Sequence, residues 1–458
     1  MVGDFLSIKI ELDFKKLLPL LDYSRKLLTK FNITHLLLIS LALHLFVMPF
    51  PQDGGMVFDE VHYIKATRAH LEGIGANPEH TPLVKVGMSV VFSIFGDYWF
   101  SWRMPIIISC MIAYIAFYYI ARHFLDEKYA LIATAFLCFD IMFFIHGTIF
   151  LLDMPAIMFG LVAMALFLHK RYKLSAVSMA LAILCKEIAL FFLLALTIYW
   201  FGTNTKKISL KSLKIPLTYF AIVALIGFSF MAVYDNVYKI STGSNISILV
   251  NNTVVNDQSG NPITTVITTT TETFQRYINN PISHLQHFLT YHGDYMKDLN
   301  ITAGAFQKPW NWIAPFDING ILDHPVYFQV RVTSGEKVYD SISWRAQGSI
   351  PIWYSFWLVV PMAAYMLIKK ETKEKNLSLF LLAWIFSTFG GFVVIELIKN
   401  CTGFNYYFIY TVPALCLGIP FVLKNLKISE KYKDIVLMFY MGTILIFFMY
   451  YFPVGLFR

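Results

Sequence analysis

Long apolar runs separated by short polar connectors recur along most of this chain. They lie near residues 34–50, 104–122, 129–146, 154–169, 174–185, 188–201, 215–234, 351–368, 377–398, 405–423 and 435–452. A bilayer core is crossed by about 20 apolar helical residues, so the pattern predicts an all-α polytopic membrane protein with about 11 transmembrane helices. The runs 174–185 and 188–201 are short and meet at Lys186–Glu187. Two polar segments break the rhythm, a first loop over 51–103 and an insert over 235–350. Within the insert, a Thr-rich stretch at 264–273 favours strands, because β-branched side chains fit a pleated surface. The chain thus divides into an amphipathic segment over 1–33, a transmembrane module over 34–234, the insert, and further transmembrane helices over 351–458.

Composition narrows the class. Only 14% of the 458 residues are charged and 57% are hydrophobic, against about 25% charged in soluble domains, which excludes an ordinary soluble enzyme. The formal net charge of +8 could signal nucleic acid, but its distribution gives it a membrane meaning instead. With the N-terminus cytoplasmic, the inner connectors hold 23 of the 37 Lys and Arg, the insert holds seven, and the short outer segments keep only seven. That asymmetry follows the positive-inside rule and places 51–103 and 235–350 on the extracytoplasmic side. Segment 1–33 has no small-residue cleavage site after an apolar core, so it does not read as a signal peptide. The five cysteines show neither zinc nor disulfide-framework spacing, and no metal site is expected. No repeat of fixed period points to a duplicated transporter. Sequons at Asn245, Asn251, Asn300 and Asn400 fall outside, although Asn32 and Asn376 carry the same signal inside.

Ionisable side chains at the mouth of an apolar bundle are costly, which makes them functional candidates. All of them lie on the outer side. Phe58-Asp59-Glu60-Val61-His62-Tyr63 follows the first run; adjacent carboxylates can hold different pKa values, which suits one as a base, though a helix cap at Asp59 beside a solvated Glu60 fits equally. In His80-Thr81-Pro82-Leu83-Val84-Lys85, Lys85 either meets a lipid phosphate or snorkels. Arg103 opens the second run in Trp102-Arg103-Met104-Pro105, where it either anchors in headgroups or grips a phosphate with its planar fork. Asp153 in Leu151-Leu152-Asp153 and Lys186 beside Glu187 stand at span ends and also fit a cap and a local ion pair. Lys308-Pro309-Trp310-Asn311-Trp312 and Trp344-Arg345 fit an interfacial aromatic belt as well as a substrate edge. Together, carboxylates and cations on one outer face suit chemistry on a membrane-embedded phosphate ester.

These motifs, in this order from residue 55 to about 420, resemble those of the dolichyl-phosphate-mannose–protein mannosyltransferases. The Asp-Glu pair after the first span, followed by His-x-Pro-Leu, is the specific part. The resemblance implies the GT-C membrane fold, an extracytoplasmic active site and no cofactor beyond the lipid-linked donor. It implies that Asp59 is the catalytic carboxylate with Glu60 as its partner, that Arg103, with Lys85 and Lys186, binds the donor phosphate, and that His80, Asp153 and Trp310 contact substrate. Thr81 and Val84 depart from the family's usual Pro and Gly. The insert is too short and too unlike the β-trefoil (MIR) domain of eukaryotic members, which favours an archaeal membrane.

The activity expected is inverting transfer of mannose from dolichyl (polyprenyl) phosphate mannose to Ser or Thr hydroxyls of an acceptor protein or peptide. The partners are then the lipid-linked donor, that acceptor and membrane lipids, with no nucleic acid and with room for a homo- or heterodimer. The nearest rival is a related GT-C enzyme that moves another sugar, such as aminoarabinose, to a glycolipid. A transporter predicts charges buried mid-span rather than at outer span ends. An oligosaccharide-transferring enzyme predicts a Trp-Trp-Asp type motif, which 235–350 lacks.

Overall fold

In the computed structural model, residues 31–51, 55–204, 210–256, 262–278, 280–298, 306–313, 326–369, 374–399 and 403–455 are described. The expected amphipathic segment lies almost wholly outside them, as do Asn300, Asn400 and Cys401. Each apolar run is helical over most of its length. Helix α1 (Ile33–Val47) starts where the Asn32 side chain accepts from the N–H groups of Thr34 and His35, at 3.0 and 3.3 Å. Helices α2 (Glu60–Leu71) and α3 (Leu83–Phe95) occupy the first loop, and α4 (Trp99–Phe124) returns through the bundle. Then come α5 (Glu127–Cys138), α6 (Ile141–His146), α7 (Asp153–Leu168), α8 (Tyr172–Cys185), α9 (Leu190–Asn204) and α10 (Leu210–Val237). After the insert, with its own helix α11 (Pro281–Asp298), follow α12 (Ile350–Trp353), α13 (Phe356–Ile368), α14 (Lys375–Lys399), α15 (Val412–Asn425) and α16 (Glu430–Tyr451).

Two runs are not continuous α-helix. The run 129–146 breaks at Phe139–Asp140, because the Asp140 carboxylate accepts from the Phe143 N–H at 2.8 Å and so starts a new helix. A capping side chain offers those first amides a partner that a continuing helix would not need. The run 405–423 opens as a 3-10 turn over Asn405–Tyr410 before α15 takes over, with Pro413 near its start. Among the described residues, six helical stretches are long and apolar enough to cross a membrane: Trp99–Phe124, Glu187–Asn204, Ser212–Val237, Ile350–Ile368, Lys375–Ile398 and Glu430–Tyr451. Five shorter apolar helices accompany them, including α1, α7, α8 and α15. This is a multi-pass integral membrane protein.

The insert supplies the strands. The Thr-rich stretch lies in β3 (Pro262–Ile278), antiparallel to β2 (Lys239–Asn256), which pairs in parallel with the two-residue β1 (Ile74–Gly75) of the first loop. β4 (Phe306–Gln307) pairs with β7 (Gly403–Phe404). A second hairpin joins β5 (Val326–Ser334) to β6 (Lys337–Arg345) and is held to the end of α16 by the Ser343 N–H, which donates to the Pro453 carbonyl at 2.8 Å. These pairings draw the first loop, the insert and the start of α15 to one end of the bundle. Arg103, Lys85 and Lys186 are among the largest fully buried side chains of the whole fold.

Candidate active site

The two adjacent acids have opposite surroundings. Glu60 is fully buried in the first turn of α2, where it receives the Arg103 guanidinium side-on: Nε donates to Oε1 at 2.8 Å and Nη2 to Oε2 at 2.6 Å. The same carboxylate accepts from the Val57 and Phe150 N–H groups at 2.7 and 2.8 Å. Arg103 Nη1 donates to the carbonyls of Met48 and Phe50 at 2.7 and 2.5 Å, and the Trp344 ring lies 5.6 Å from its carbon Cζ. This fork-to-fork pair, with every neighbour a hydrogen-bonding group, offsets the desolvation that a buried charge otherwise costs. It fastens the end of α1, the start of α2, α4 and the segment before α7 together. The structure therefore places Glu60, expected in the catalytic pair, with both oxygens filled by the protein's own donors, and Arg103, expected at the donor phosphate, with its N–H groups on Glu60 and the loop carbonyls.

Asp59 is the exposed half of the pair. Its backbone carbonyl starts α2, accepting from the His62 and Tyr63 N–H groups at 3.0 and 3.1 Å. Its carboxylate is only partly buried and makes no hydrogen bond among the described residues. Desolvation lifts the carboxyl above the ordinary aspartate range; Lys186, His62 and His80 oppose that rise, and Asp153 adds to it. The preceding residue, Phe58, takes the left-handed conformation at φ 54°. Its ring stacks on Tyr327 from β5 at 3.9 Å and meets Tyr406 edge-on at 5.6 Å.

Beside Asp59 lies a second buried ion pair. Lys186 Nζ donates to both Asp153 oxygens at 2.8 Å, and Tyr410 donates to Asp153 Oδ1 at 3.2 Å. The rings of Tyr406 and Tyr407 lie 5.7 and 5.3 Å from the ammonium. Burial acts to lower the Lys186 pKa, but Asp153, Tyr407 and Glu187 outweigh it and hold the group above its ordinary value. Two of its three N–H bonds go to Asp153, which leaves one for another acceptor. His146 closes the cluster: its Nε2 meets the Tyr327 hydroxyl at 3.0 Å, and its buried Nδ1 has no hydrogen-bond partner.

The other expected residues frame this centre. His80 Nδ1 meets Glu187 at 3.0 Å, and Thr81 Oγ1 donates to the Ile183 carbonyl at 3.0 Å, so the His-Thr-Pro-Leu turn is fastened to the Lys186 junction. Lys85 is fully buried and donates to the Asn77 carbonyl and side chain at 2.5 and 3.1 Å and to the His80 carbonyl at 2.9 Å. Burial lowers its pKa to about 7, against the pull of Glu79 and Glu187. Lys85, expected at the donor phosphate, here ties its own turn. Trp310 is 40% exposed with the Lys308 ammonium over its ring, and among the described residues no hydrogen bond or ring contact joins it to Asp59, Asp153 or Lys186. Sequence reasoning missed His146, Tyr327, Tyr406, Tyr407 and Tyr410. The sole hint was the run Asn405-Tyr406-Tyr407-Phe408-Ile409-Tyr410, three tyrosines at the outer end of an apolar segment. A crevice of about 920 Å3 opens between α13, α15 and α16, and none of the candidate residues lines it.

Residues 79–234 match the family model described as dolichyl-phosphate-mannose-protein mannosyltransferase. The fold is similar to that of the S. cerevisiae protein O-mannosyltransferase Pmt1-Pmt2 complex bound to the sugar donor, with TM-score 0.63 and 12% identity over 94% of this chain and 90% of that one. ArnT from Cupriavidus metallidurans bound to undecaprenyl phosphate is similar at TM-score 0.52 and 13% identity, over 89% of this chain and 63% of ArnT. The archaeal oligosaccharyltransferase AglB from Archaeoglobus fulgidus gives TM-score 0.53 and 10% identity, over 92% of this chain and 55% of AglB. No curated protein matches the chain in sequence. The family model thus matches within the stretch on which the motif resemblance was read, and the fold is that of the GT-C structures it resembles.

Proposed function

We propose that this protein transfers mannose from dolichyl or another polyprenyl phosphate to a Ser or Thr hydroxyl of a protein on the extracytoplasmic face, with Asp59 as general base. One observation carries the reading: a carboxylate without a hydrogen-bond partner among the described residues, its pKa raised by desolvation, stands beside a buried lysine with one N–H beyond the two given to Asp153. A neutral hydroxyl is a weak nucleophile. Asp59 accepts its proton as the oxygen attacks the anomeric carbon from the face opposite the phosphate. The bond from the anomeric carbon to the phosphate oxygen breaks, and the electron pair leaves on the lipid phosphate. Positioned bases of this kind contribute typically about 10²–10⁴-fold. The remaining Lys186 N–H is the donor available for the departing phosphate, where developing charge rewards a fixed cation most. Arg103 and Lys85 act at one remove, by holding the first loop. His80 and Asp153 orient groups around the centre, and Trp310 lines the outer rim along which an acceptor peptide approaches. The donor is a substrate, so no resident cofactor enters the scheme. Pairing with a second copy or a relative is part of the same proposal, by analogy with the yeast complex.

The likeness to ArnT supports a second reading, transfer of another polyprenyl-phosphate sugar to a glycolipid. Membranes carrying the protein, supplied in parallel with labelled polyprenyl-phosphate mannose and polyprenyl-phosphate aminoarabinose, separate the two. Mannose label in the protein fraction is expected. Label confined to lipid would replace the acceptor, and label from aminoarabinose alone would replace the donor.

A further inference from the structure

The insert reaches the acid pair at two points, both through the β5–β6 hairpin. Trp344 of β6, fully buried, lies over the Arg103 guanidinium that binds Glu60. Tyr327 of β5 lies flat on Phe58, with ring planes 7° apart. The ladder register shifts between Val326 and Phe328, so Tyr327 occupies a bulge. Bulges re-aim side chains out of the regular alternation, and this one delivers the ring to the loop preceding α2.

Phe58 is the residue that needs holding. A bulky side chain at positive φ clashes with its own backbone, and such a conformation persists only where the surroundings over-determine it. Here the Tyr327 face and the Tyr406 edge fix its ring. Two residues further on, the Glu60–Arg103 pair fixes the helix start. Asp59 sits between these two anchors and has no hydrogen bond of its own to hold its carboxylate.

We infer that Tyr327 is a positioning residue: by stacking on Phe58 it holds the left-handed turn that aims the Asp59 carboxylate, so the extracytoplasmic insert completes the catalytic centre. The flat ring carries the effect, and the hydroxyl, which meets His146, is secondary. The inference rests on Asp59 being the base and goes beyond it by assigning a residue of the insert.

Purified full-length Tyr327→Phe, Tyr327→Leu and Phe58→Ala are compared with wild type for donor KM, kcat and melting temperature in detergent, with Asp59→Asn as control. Tyr327→Leu is expected to lower kcat by about 10–100-fold, the scale on which misplacing a catalytic group acts, with donor KM within about threefold. Tyr327→Phe, which keeps the stacking face, should restore kcat to within about threefold of wild type. Phe58→Ala should reproduce the Tyr327→Leu loss from the other side of the stack, and it stands in for that variant if Tyr327→Leu fails to fold. Wild-type kcat in both stack-breaking variants would overturn the inference. So would Tyr327→Phe as impaired as Tyr327→Leu, which would assign the hydroxyl instead. An active Asp59→Asn removes the base itself, whereas an inactive Asp59→Asn alongside fully active stack variants removes only the role of Tyr327.

Discussion

Two buried acid–cation pairs stand close together at one end of the bundle, and they differ in what surrounds them. Glu60–Arg103 is filled on the acid side: both carboxylate oxygens carry two donors, and four of the five guanidinium N–H groups are engaged. Asp153–Lys186 is open: one ammonium N–H stays uncommitted, and partly exposed Asp59 lies within its electrostatic reach. Residue type does not distinguish the pairs; the surroundings of the acid do, with four donors on Glu60 and three on Asp153. A carboxylate filled by four donors braces the fold, and an ion pair beside a carboxylate that has none among the described residues can answer a ligand.

The sharpest way to break this contrast is at Asp59. Asp59→Asn should reduce sugar transfer by at least about 10²-fold with an unchanged melting temperature; transfer at the wild-type rate would leave the open pair without a base to serve. Next come the pairs themselves. Glu60→Gln or Arg103→Met strands a buried charge and should destabilise the protein by about 3–5 kcal/mol, visible as a lower melting temperature and poor recovery from membranes. Lys186→Met should also destabilise, yet the double variant Asp153→Asn/Lys186→Met should regain stability without regaining transfer. Recovery of both would make the second pair a brace like the first.

A smaller effect is a displaced pH profile. Asp59 must be ionised to accept a proton, and its pKa is raised, so transfer should fail on the acid side at a pH above the ordinary aspartate value of about 3.9. Lys186 is the foremost of the charges that lower the Asp59 pKa against its desolvation. Residual activity in Lys186→Met should therefore lose its acid limb at higher pH than wild type. The folded state binds this proton more tightly than the unfolded chain, so acidification through that window stabilises the fold as it silences transfer. Smallest of all, Trp310→Ala at the exposed rim should change stability by no more than about 0.5 kcal/mol and alter only the acceptor-peptide KM.

Much of this was legible in the residues. Apolar length marked the helices, and the alternation of Lys and Arg put Asp59, Arg103, Asp153 and Lys186 on one face before any contact was known. Who pairs with whom was not legible. Glu60 and Arg103 are far apart in the chain, and nothing local to either announces that four donors converge on one carboxylate. Asp140 hid inside an apolar run because a cap and a buried acid look alike in sequence. Tyr327 was invisible for a related reason: its role depends on a bulge and on the backbone angle of Phe58, and residue type encodes neither.

The hairpin that covers Arg103 is itself latched by a partner from much further along the polypeptide, since the Ser343 amide binds the carbonyl of Pro453 and Ile342 bridges to Val454. During synthesis that latch can close only once residues 453 and 454 have been made. A nascent chain could insert its early helices and still lack the cover over Arg103, so this corner of the fold is finished late, after most of the bundle has been laid down.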